Sequence, residues 1–468
     1  MRTCMVAVSF VVFCSMLAAQ EAPAGSGAAA PNTVKVQVSN GPGAAFQFTK
    51  VDDALLAEAN AIDEQYEKKG LVLHDPGLQA FIDSVGKRVL GDRPAPEKVT
   101  YRFLVLRDPM VNAFSLSNGS VYIPTGLLSL LENEAQLASV LGHETAHVYE
   151  RHPYIENRSI RKKVVASKII AAAAISVPGG TVLAVASAVA ASEVSNLLLW
   201  ESIYGYSREK ESQADSDGLA AMTVAGYDPH AMAVTFELLD KYNTLEYEPH
   251  YPLFQDHPKL AERREQALAF ANAHTPMDAR TGTTQDYLAA VLTAIAPAIV
   301  DDTNNDIENR RPRTAVARAT RLVSAFPGDP QYQVLLGDSY RALGAETALP
   351  TNNELTSGGK AQQRKEVLEM SEQEEQKALL KTPEGQATLK ENQAKAEKAF
   401  LAANQIDPQY ALAYRELGFL YEDELRYSDA AANYQRYLQL VPSTSLDRLR
   451  IKRRMAQCQN HQTGQAHP

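Results

Sequence analysis

The spacing of apolar and polar residues divides the chain into three regimes. From about Val51 to Ala273 helical and strand-like patterns alternate. Apolar residues recur every three or four positions in Asp52 to Lys69 and in Leu78 to Leu90, which predicts two helices. Val99 to Leu106 and Gly119 to Ile123 are short, β-branched and aromatic, which predicts strands, with Met110 to Ser117 between them. A further helical pattern follows Gly126 and runs from Leu127 to Glu150.

The second regime, Val164 to Trp200, is built almost wholly of Ala, Val, Ile, Leu and Ser. Its uncharged stretch, Ile169 to Ser192, is broken by Pro178-Gly179-Gly180. Each half falls short of the roughly 20 strongly apolar residues that a membrane-spanning helix needs. Two buried or substrate-facing helices are expected, with transient contact to a membrane or an apolar client through 164–200 as the second expectation.

The third regime contains repeats. Ala396, Phe400, Ala403 and Pro408 recur 34 residues later as Ala430, Tyr434, Tyr437 and Pro442. Tyr414, Leu417, Gly418 and Tyr421 lie between them. This alternation of small and large residues is that of a tetratricopeptide repeat, in which small side chains let paired helices approach. A partial copy runs through Ala315, Ala319, Leu322 and Pro327 to Leu336-Gly337 and Tyr340. The stretch from Thr347 to Asn392, rich in Glu, Gln and Lys, reads as an extended polar helix or an insertion. Stacked repeats form a concave surface, so protein partners are expected there.

Length and composition refine this plan. At 468 residues the chain exceeds one compact core, and two to four domains are expected. A net charge of −10 argues against nucleic acid as a partner. The two local basic clusters, Arg158/Arg161/Lys162/Lys163 and Arg448/Arg450/Lys452/Arg453/Arg454, read as solvated helix faces. Met1-Arg2, the apolar Val6 to Leu17 and Ala18-Ala19 have the layout of a secretory signal peptide. Phe13 before Cys14 disfavours lipidation. Cleavage after Ala19 would leave Cys458 as the sole cysteine, so packing and not disulfides must hold the fold. The expected organisation is a signal peptide at 1–19, a flexible leader at 20–50, a catalytic domain at 51–275, a helical linker with a partial repeat at 276–346, a polar insertion at 347–392, repeats at 393–458 and a tail at 459–468.

The candidate chemistry is concentrated in LGHETAHVYERH, Leu141 to His152. His143 and His147 share one helix face a turn apart and can grip one zinc ion, with Glu144 able to take a proton from water. Leu137, Val140 and Leu141 make the helix half buried, and Gly142 admits a close neighbour. A catalytic zinc needs a third protein ligand. His152 is a poor candidate, because Glu150 stands where a turn-forming glycine is required and a continuing helix would carry His152 off the metal face. Glu211 is better: on a second helix it can supply an oxygen ligand, Asp215 one turn on can accept the free N–H of a metal-binding histidine, and Gly218 permits close packing.

These residues resemble a known family. Asn112-Ala113-Phe114, Gly119 to Ile123, Gly126-Leu127-Leu128, Glu134, His143 to His147, Arg208 to Asp215 with Gly218, and His257-Pro258 are similar to the gluzincin zinc metallopeptidases of the BepA/HtpX type, related to the CAAX prenyl proteases. The resemblance covers Val51 to Ala273, and the signal peptide and repeats bring it nearest to the periplasmic BepA type. It implies an α+β, mostly helical metalloprotease domain with a small sheet, followed by an α-solenoid of tetratricopeptide repeats. It implies zinc held by His143, His147 and Glu211, Glu144 as general base, and Asn112-Ala113-Phe114 near an edge strand that aligns an extended peptide. It implies that His257 caps the zinc and holds the enzyme latent, and that Arg208 or His257 stabilises the oxyanion. The function expected from it is that of an exported, periplasmic, outer-membrane-associated endopeptidase acting on unfolded or misassembled envelope proteins. The competing expectation is a periplasmic chaperone or assembly scaffold with a largely latent zinc site.

Overall fold

The computed structural model describes residues 36, 38–39, 41, 46–159, 206–245, 260–276, 278–345 and 380–462. The signal peptide, the apolar Val164 to Trp200 segment, His257 and most of the polar insertion lie outside them.

The first helix is fixed at its start by a reciprocal cap. The backbone N–H and the hydroxyl of Thr49 each donate to Asp52 at 2.7 Å, opening α1 (Lys50–Lys68). Asp52 is buried and also accepts from Arg158 Nε at 3.0 Å, so Arg158 is an anchor and not the solvated residue its cluster suggested. About three turns further along α1, Asp63 is buried against the sheet. It accepts from the Tyr122 hydroxyl at 2.5 Å, Asn118 Nδ2 at 2.6 Å and Ser120 Oγ at 3.0 Å, and pairs with Arg102. Four donors offset the cost of burying that carboxylate.

The sheet has strands β1 (Arg102–Leu106), β2 (Phe114–Ser115) and β3 (Ser120–Pro124) in the order β1-β3-β2. Central β3 runs parallel to β1 and antiparallel to β2, with Phe103 opposite Val121 and Phe114 opposite Tyr122. Gly119 sits between β2 and β3 at φ +96°, where a Cβ would fall 2.6 Å from the Thr100 carbonyl oxygen.

Helix α2 (Pro76–Leu90) is capped by Asp75, which accepts from Leu78 N–H at 2.8 Å, and buries Leu78, Ile82, Val85 and Val89. The single helix expected from Leu127 to Glu150 is two: α3 (Thr125–Leu130) and α4 (Glu134–Tyr149). Asn133 causes the break, since its side chain accepts from Gln136 N–H at 3.0 Å and starts α4 afresh. Helices α5 (Arg208–Val224), α6 (His230–Asn243) and α7 (Leu260–His274) complete this layer. Where α4 crosses α5, a Cβ on Gly218 would lie 2.8 Å from His143 N, and one on Gly142 3.0 Å from the Gly218 oxygen.

The same core continues past residue 275. Helix α8 (Thr284–Tyr287) leads through a π-turn (Leu288–Leu292) into α9 (Thr293–Glu308), α10 (Pro312–Ala325) and α11 (Pro330–Leu343). Tyr287, Val291, Leu292, Ile295, Ile299 and Leu322 pack in one cluster with Leu127, Leu128 and Leu137. Polar ties reinforce it: Tyr287 donates to the Leu128 oxygen at 2.8 Å, Arg321 to that of Leu131 at 2.9 Å and Arg318 to that of Pro109 at 2.7 Å.

A second core joins α12 (Pro383–Ile406), α13 (Ala411–Asp423), α14 (Tyr427–Leu440) and α15 (Arg448–Gln462) to α11. Gly337 packs against the Phe400 ring and Gly418 against the Tyr434 ring, the two rings being large residues that recur 34 positions apart. Helix α12 begins at Pro383, so the end of the polar stretch belongs to it. In the second basic cluster, Arg448 donates to the Leu438 oxygen at 2.6 Å and so closes the end of α14.

Two outcomes follow from this packing. Each of the six large side chains that cross residue 275 stabilises the fold by about 1.5–3 kcal/mol on burial, against a typical domain stability of about 5–15 kcal/mol. A chain cut after Thr275 is therefore expected to lack a cooperative thermal transition, and one cut after Ala345 to keep it; cooperative melting of the shorter chain would contradict the shared core. Asp302 on α9 has a side chain 13% exposed and 3.9 Å from Arg318. Burial, with the charges of Asp306 and Asp108 and against that of Arg318, pushes its carboxyl up to about 6 from 3.8. With the folded pKa above the unfolded one, its contribution is complete below about pH 4 and is lost as pH rises through 6. Asp302→Asn should thus melt higher than the parent at pH 7.5 and show no advantage at pH 4, whereas a pH-independent difference would contradict the assignment.

Candidate metal centre

Helix α4 carries His143 and His147 on one face, and the glycine crossing brings the first turn of α5 against them. His143 Nε2 and His147 Nε2 are 3.0 Å apart. Glu211 lies 3.5 Å from the first through Oε2 and 3.7 Å from the second through Oε1. Donors about 2.0–2.1 Å from a tetrahedral zinc stand about 3.3 Å from one another, so these separations fit one ion. Among the described residues this is the one group of three such donors whose ligand atoms lie within 4.8 Å. Side-chain exposure is 14% for His143 against 2% and 3% for His147 and Glu211, so the cluster opens on the His143 side.

Each donor is held from behind. His143 Nδ1 lies 2.9 Å from Asp215 Oδ1, one turn beyond Glu211 on α5. Asp215 in turn takes both arms of Arg263 on α7, from Nε at 2.8 Å and Nη2 at 2.7 Å, a two-pronged geometry that fixes the carboxylate plane. Arg263 Nη1 also lies 3.5 Å from Glu211 Oε2. Glu211 Oε1 accepts from Tyr206 N–H at 3.1 Å, and the Tyr206 ring stacks on His147 at 4.3 Å between centroids.

The charges are set accordingly. Burial lowers the His147 pKa well below its usual value, with the His143 charge adding to the effect, which keeps His147 in the neutral form a metal requires. For His143 burial also lowers the pKa, but the hydrogen bond and charge of Asp215 and the charge of Glu211 outweigh it and the net direction is up. Burial would raise Asp215, yet Arg263 and His143 hold it below the usual carboxylate range. Glu144, 8% exposed, is pushed up by burial; the His143 charge opposes this and the Glu211 charge adds to it. A carboxylate raised in this way is a better proton acceptor. Ser115 of β2 lies beside it as a further polar neighbour that lowers its pKa.

The remaining expected residues divide. Asn112 and Ala113 are half-buried ahead of β2, and Phe114 is buried with its ring stacked on Tyr122 at 5.2 Å. Arg208 is exposed at the first position of α5. His257 falls outside the described residues. His152 is outside the donor cluster, but the reason differs from the one expected: α4 stops at Tyr149 and does not continue through His152. Arg263 and Tyr206 were not singled out in the sequence. An arginine on a charged helix reads there as solvated, and only the tertiary pairing with Asp215 reveals it.

Comparison with known proteins agrees with this geometry. The profile of Peptidase family M48 matches residues 76–271, which contain all three donors, Glu144, Asp215 and Arg263. The putative beta-barrel assembly-enhancing protease of Vibrio cholerae is 33% identical over 207 residues, covering 42% of this chain and 41% of that protein. The mitochondrial metalloendopeptidase OMA1 of Schizosaccharomyces pombe is 31% identical over 161 residues, covering 34% and 43%. This chain thus spans under half the length of either. Metalloprotease YcaL of Escherichia coli is 31% identical over 217 residues, covering 45% of this chain and 78% of that protein. The chain belongs to peptidase family M48, a family of zinc metallopeptidases.

Proposed function

We propose that the protein is an exported zinc-dependent endopeptidase that hydrolyses unfolded or misassembled envelope proteins, with the C-terminal helical hairpins acting as tetratricopeptide repeats that recruit clients or partners. The observation that carries this reading is the convergence of His143, His147 and Glu211 with the buried Glu144 beside strand β2. His143, His147 and Glu211 would hold a zinc ion, which would supply Lewis acidity to acidify a water and polarise the scissile carbonyl. Glu144 would take a proton from the attacking water as its oxygen bonds to the carbonyl carbon, and would deliver that proton to the amine leaving group as the C–N bond breaks.

Strand β2 supports the substrate class. Among the described residues it pairs with β3 on one side only, and its other edge can receive an extended peptide by strand addition. Unfolded and misassembled chains offer such segments; folded ones do not. The envelope assignment draws on the names of the beta-barrel assembly-enhancing relatives and on the signal-peptide pattern of the N-terminus. No helix among the described residues is long and apolar enough to cross a membrane. Arg208, at the N-terminal end of α5, and His257 are the candidates for stabilising the oxyanion, and His257 is the candidate for capping a latent site.

The test compares the zinc-loaded protein with its Glu144→Gln form on an unfolded protein substrate, zinc content being measured in both. The expected result is equal zinc and a fall in kcat of about 10²–10⁴-fold in the variant, with the parent's cleavage abolished by a chelator and restored by zinc. Equal cleavage by parent and variant would contradict the role of Glu144, and no cleavage by a fully loaded parent would favour the scaffold.

A further inference from the structure

His152 reaches the metal centre by an unexpected route. After Tyr149 the chain turns through Arg151, at φ +61°, and residues 152–159 form a new helical run. The turn folds His152 back under α4, where it is 2% exposed. Its Nδ1 lies 3.0 Å from Nδ1 of His147, the nitrogen that faces away from Glu211 and His143. From there a chain of polar contacts leads outward. His152 Nε2 is 3.2 Å from Gln213 Oε1, Gln213 Nε2 is 2.9 Å from Glu150 Oε2, and Glu150 Oε1 also takes the Ser39 hydroxyl.

The direction of this chain follows from the one member that can only accept. A carboxylate offers no donor, so Gln213 must present its NH₂ to Glu150, which turns its carbonyl oxygen toward His152. That oxygen can only accept, so the proton of a neutral His152 sits on Nε2 and its Nδ1 is a bare acceptor. His147 must then carry its own proton on Nδ1, which leaves the Nε2 lone pair free toward the metal cluster. Where neutral His143 carries its proton on Nδ1, 2.9 Å from Asp215 Oδ1, both Nε2 atoms present lone pairs to one another at 3.0 Å, an arrangement that a cation between them stabilises.

We infer that His152, backed by Gln213 and Glu150, is a positioning residue that sets the tautomer and ring orientation of the ligand His147. The inference rests on the metal-centre reading and goes beyond it: the two histidine ligands are supported unequally. His143 leans directly on a carboxylate that Arg263 holds, while His147 leans on a neutral imidazole that transmits a carboxylate's influence through an amide. Partners of this kind, behind a metal ligand, are worth about 10–100-fold in metal affinity.

The experiment measures zinc affinity of the full chain by competition with a chromogenic chelator, for the parent, His152→Ala, His152→Asn and Gln213→Ala. Zinc-free melting temperatures report folding alone. Asparagine can present an oxygen close to where Nδ1 now accepts. The expected result is a 10–100-fold loss for His152→Ala, recovery of most of it in His152→Asn, and a smaller loss for Gln213→Ala, which removes a contact to His152 but none to the ligand His147. X-ray absorption of the zinc-loaded parent should count two imidazoles. Unchanged affinity in His152→Ala overturns the proposal, as does an equal loss in the alanine and asparagine variants that tracks zinc-free melting. Three imidazoles on the metal would make His152 a ligand and overturn it too. A parent that binds no zinc fails differently, since it removes the metal centre itself and this inference with it.

Discussion

Where α4 crosses α5, backbone meets backbone, because neither Gly142 nor Gly218 has a side chain to hold the helices apart. Helices packed through ordinary side chains lie about 8–10 Å apart between axes, and a glutamate on one then has to stretch to share an ion with histidines on the other. Here the contact is closer, and Glu211 sits 3.5 and 3.7 Å from the two imidazoles with its own carboxylate buried. Asp215 follows one turn later and meets His143 from behind. The position of both carboxylates on α5 depends on this one crossing.

Such an arrangement concentrates charge in the interior, and the fold compensates by giving each buried group a partner from a different element. Arg263 on α7 neutralises Asp215, Arg158 holds Asp52, and Arg102 with three neutral donors holds Asp63. A buried pair is only weak evidence for stability, since desolvation can cost as much as the pairing returns. Its value here is positional: a bidentate Arg263 cannot rotate Asp215 without breaking two charged hydrogen bonds. The helices beyond residue 275 extend the same scaffold, because Arg318 reaches back to the Pro109 carbonyl in the loop that feeds β2. The edge strand and the metal cluster are thus held from opposite ends of one core.

What could be read in advance was what local spacing encodes. His143 with His147 and Glu211 with Asp215 each lie one helical turn apart, and Gly142 and Gly218 mark a close approach even in a bare sequence. Strand β2 was not readable from spacing, because two residues have no period, and only the family resemblance put an edge strand near Asn112-Ala113-Phe114. The break between α3 and α4 was hidden because Asn133 interrupts a helical pattern without proline or glycine. Arg158 looked like a solvated cation and Arg263 carried no signal at all, and only their distant carboxylates, Asp52 and Asp215, make them structural. For His152 the expectation assumed a helix that in fact stops at Tyr149, so a residue set aside as a ligand returns as a neighbour of one. The core that spans residue 275 likewise arises from contacts between segments far apart in sequence, which no local pattern records.

The most direct test of this account is the zinc dissociation constant of Gly218→Ala, measured at a temperature where the zinc-free variant keeps its helical circular dichroism. A Cβ there would lie 2.8 Å from His143 N, so the two helices must separate. A metal site tolerates only about 0.5 Å of displacement before its geometry suffers. The account predicts a folded variant that binds zinc at least about tenfold more weakly than the parent. Parental affinity in a folded Gly218→Ala protein would contradict the claim that this crossing builds the site.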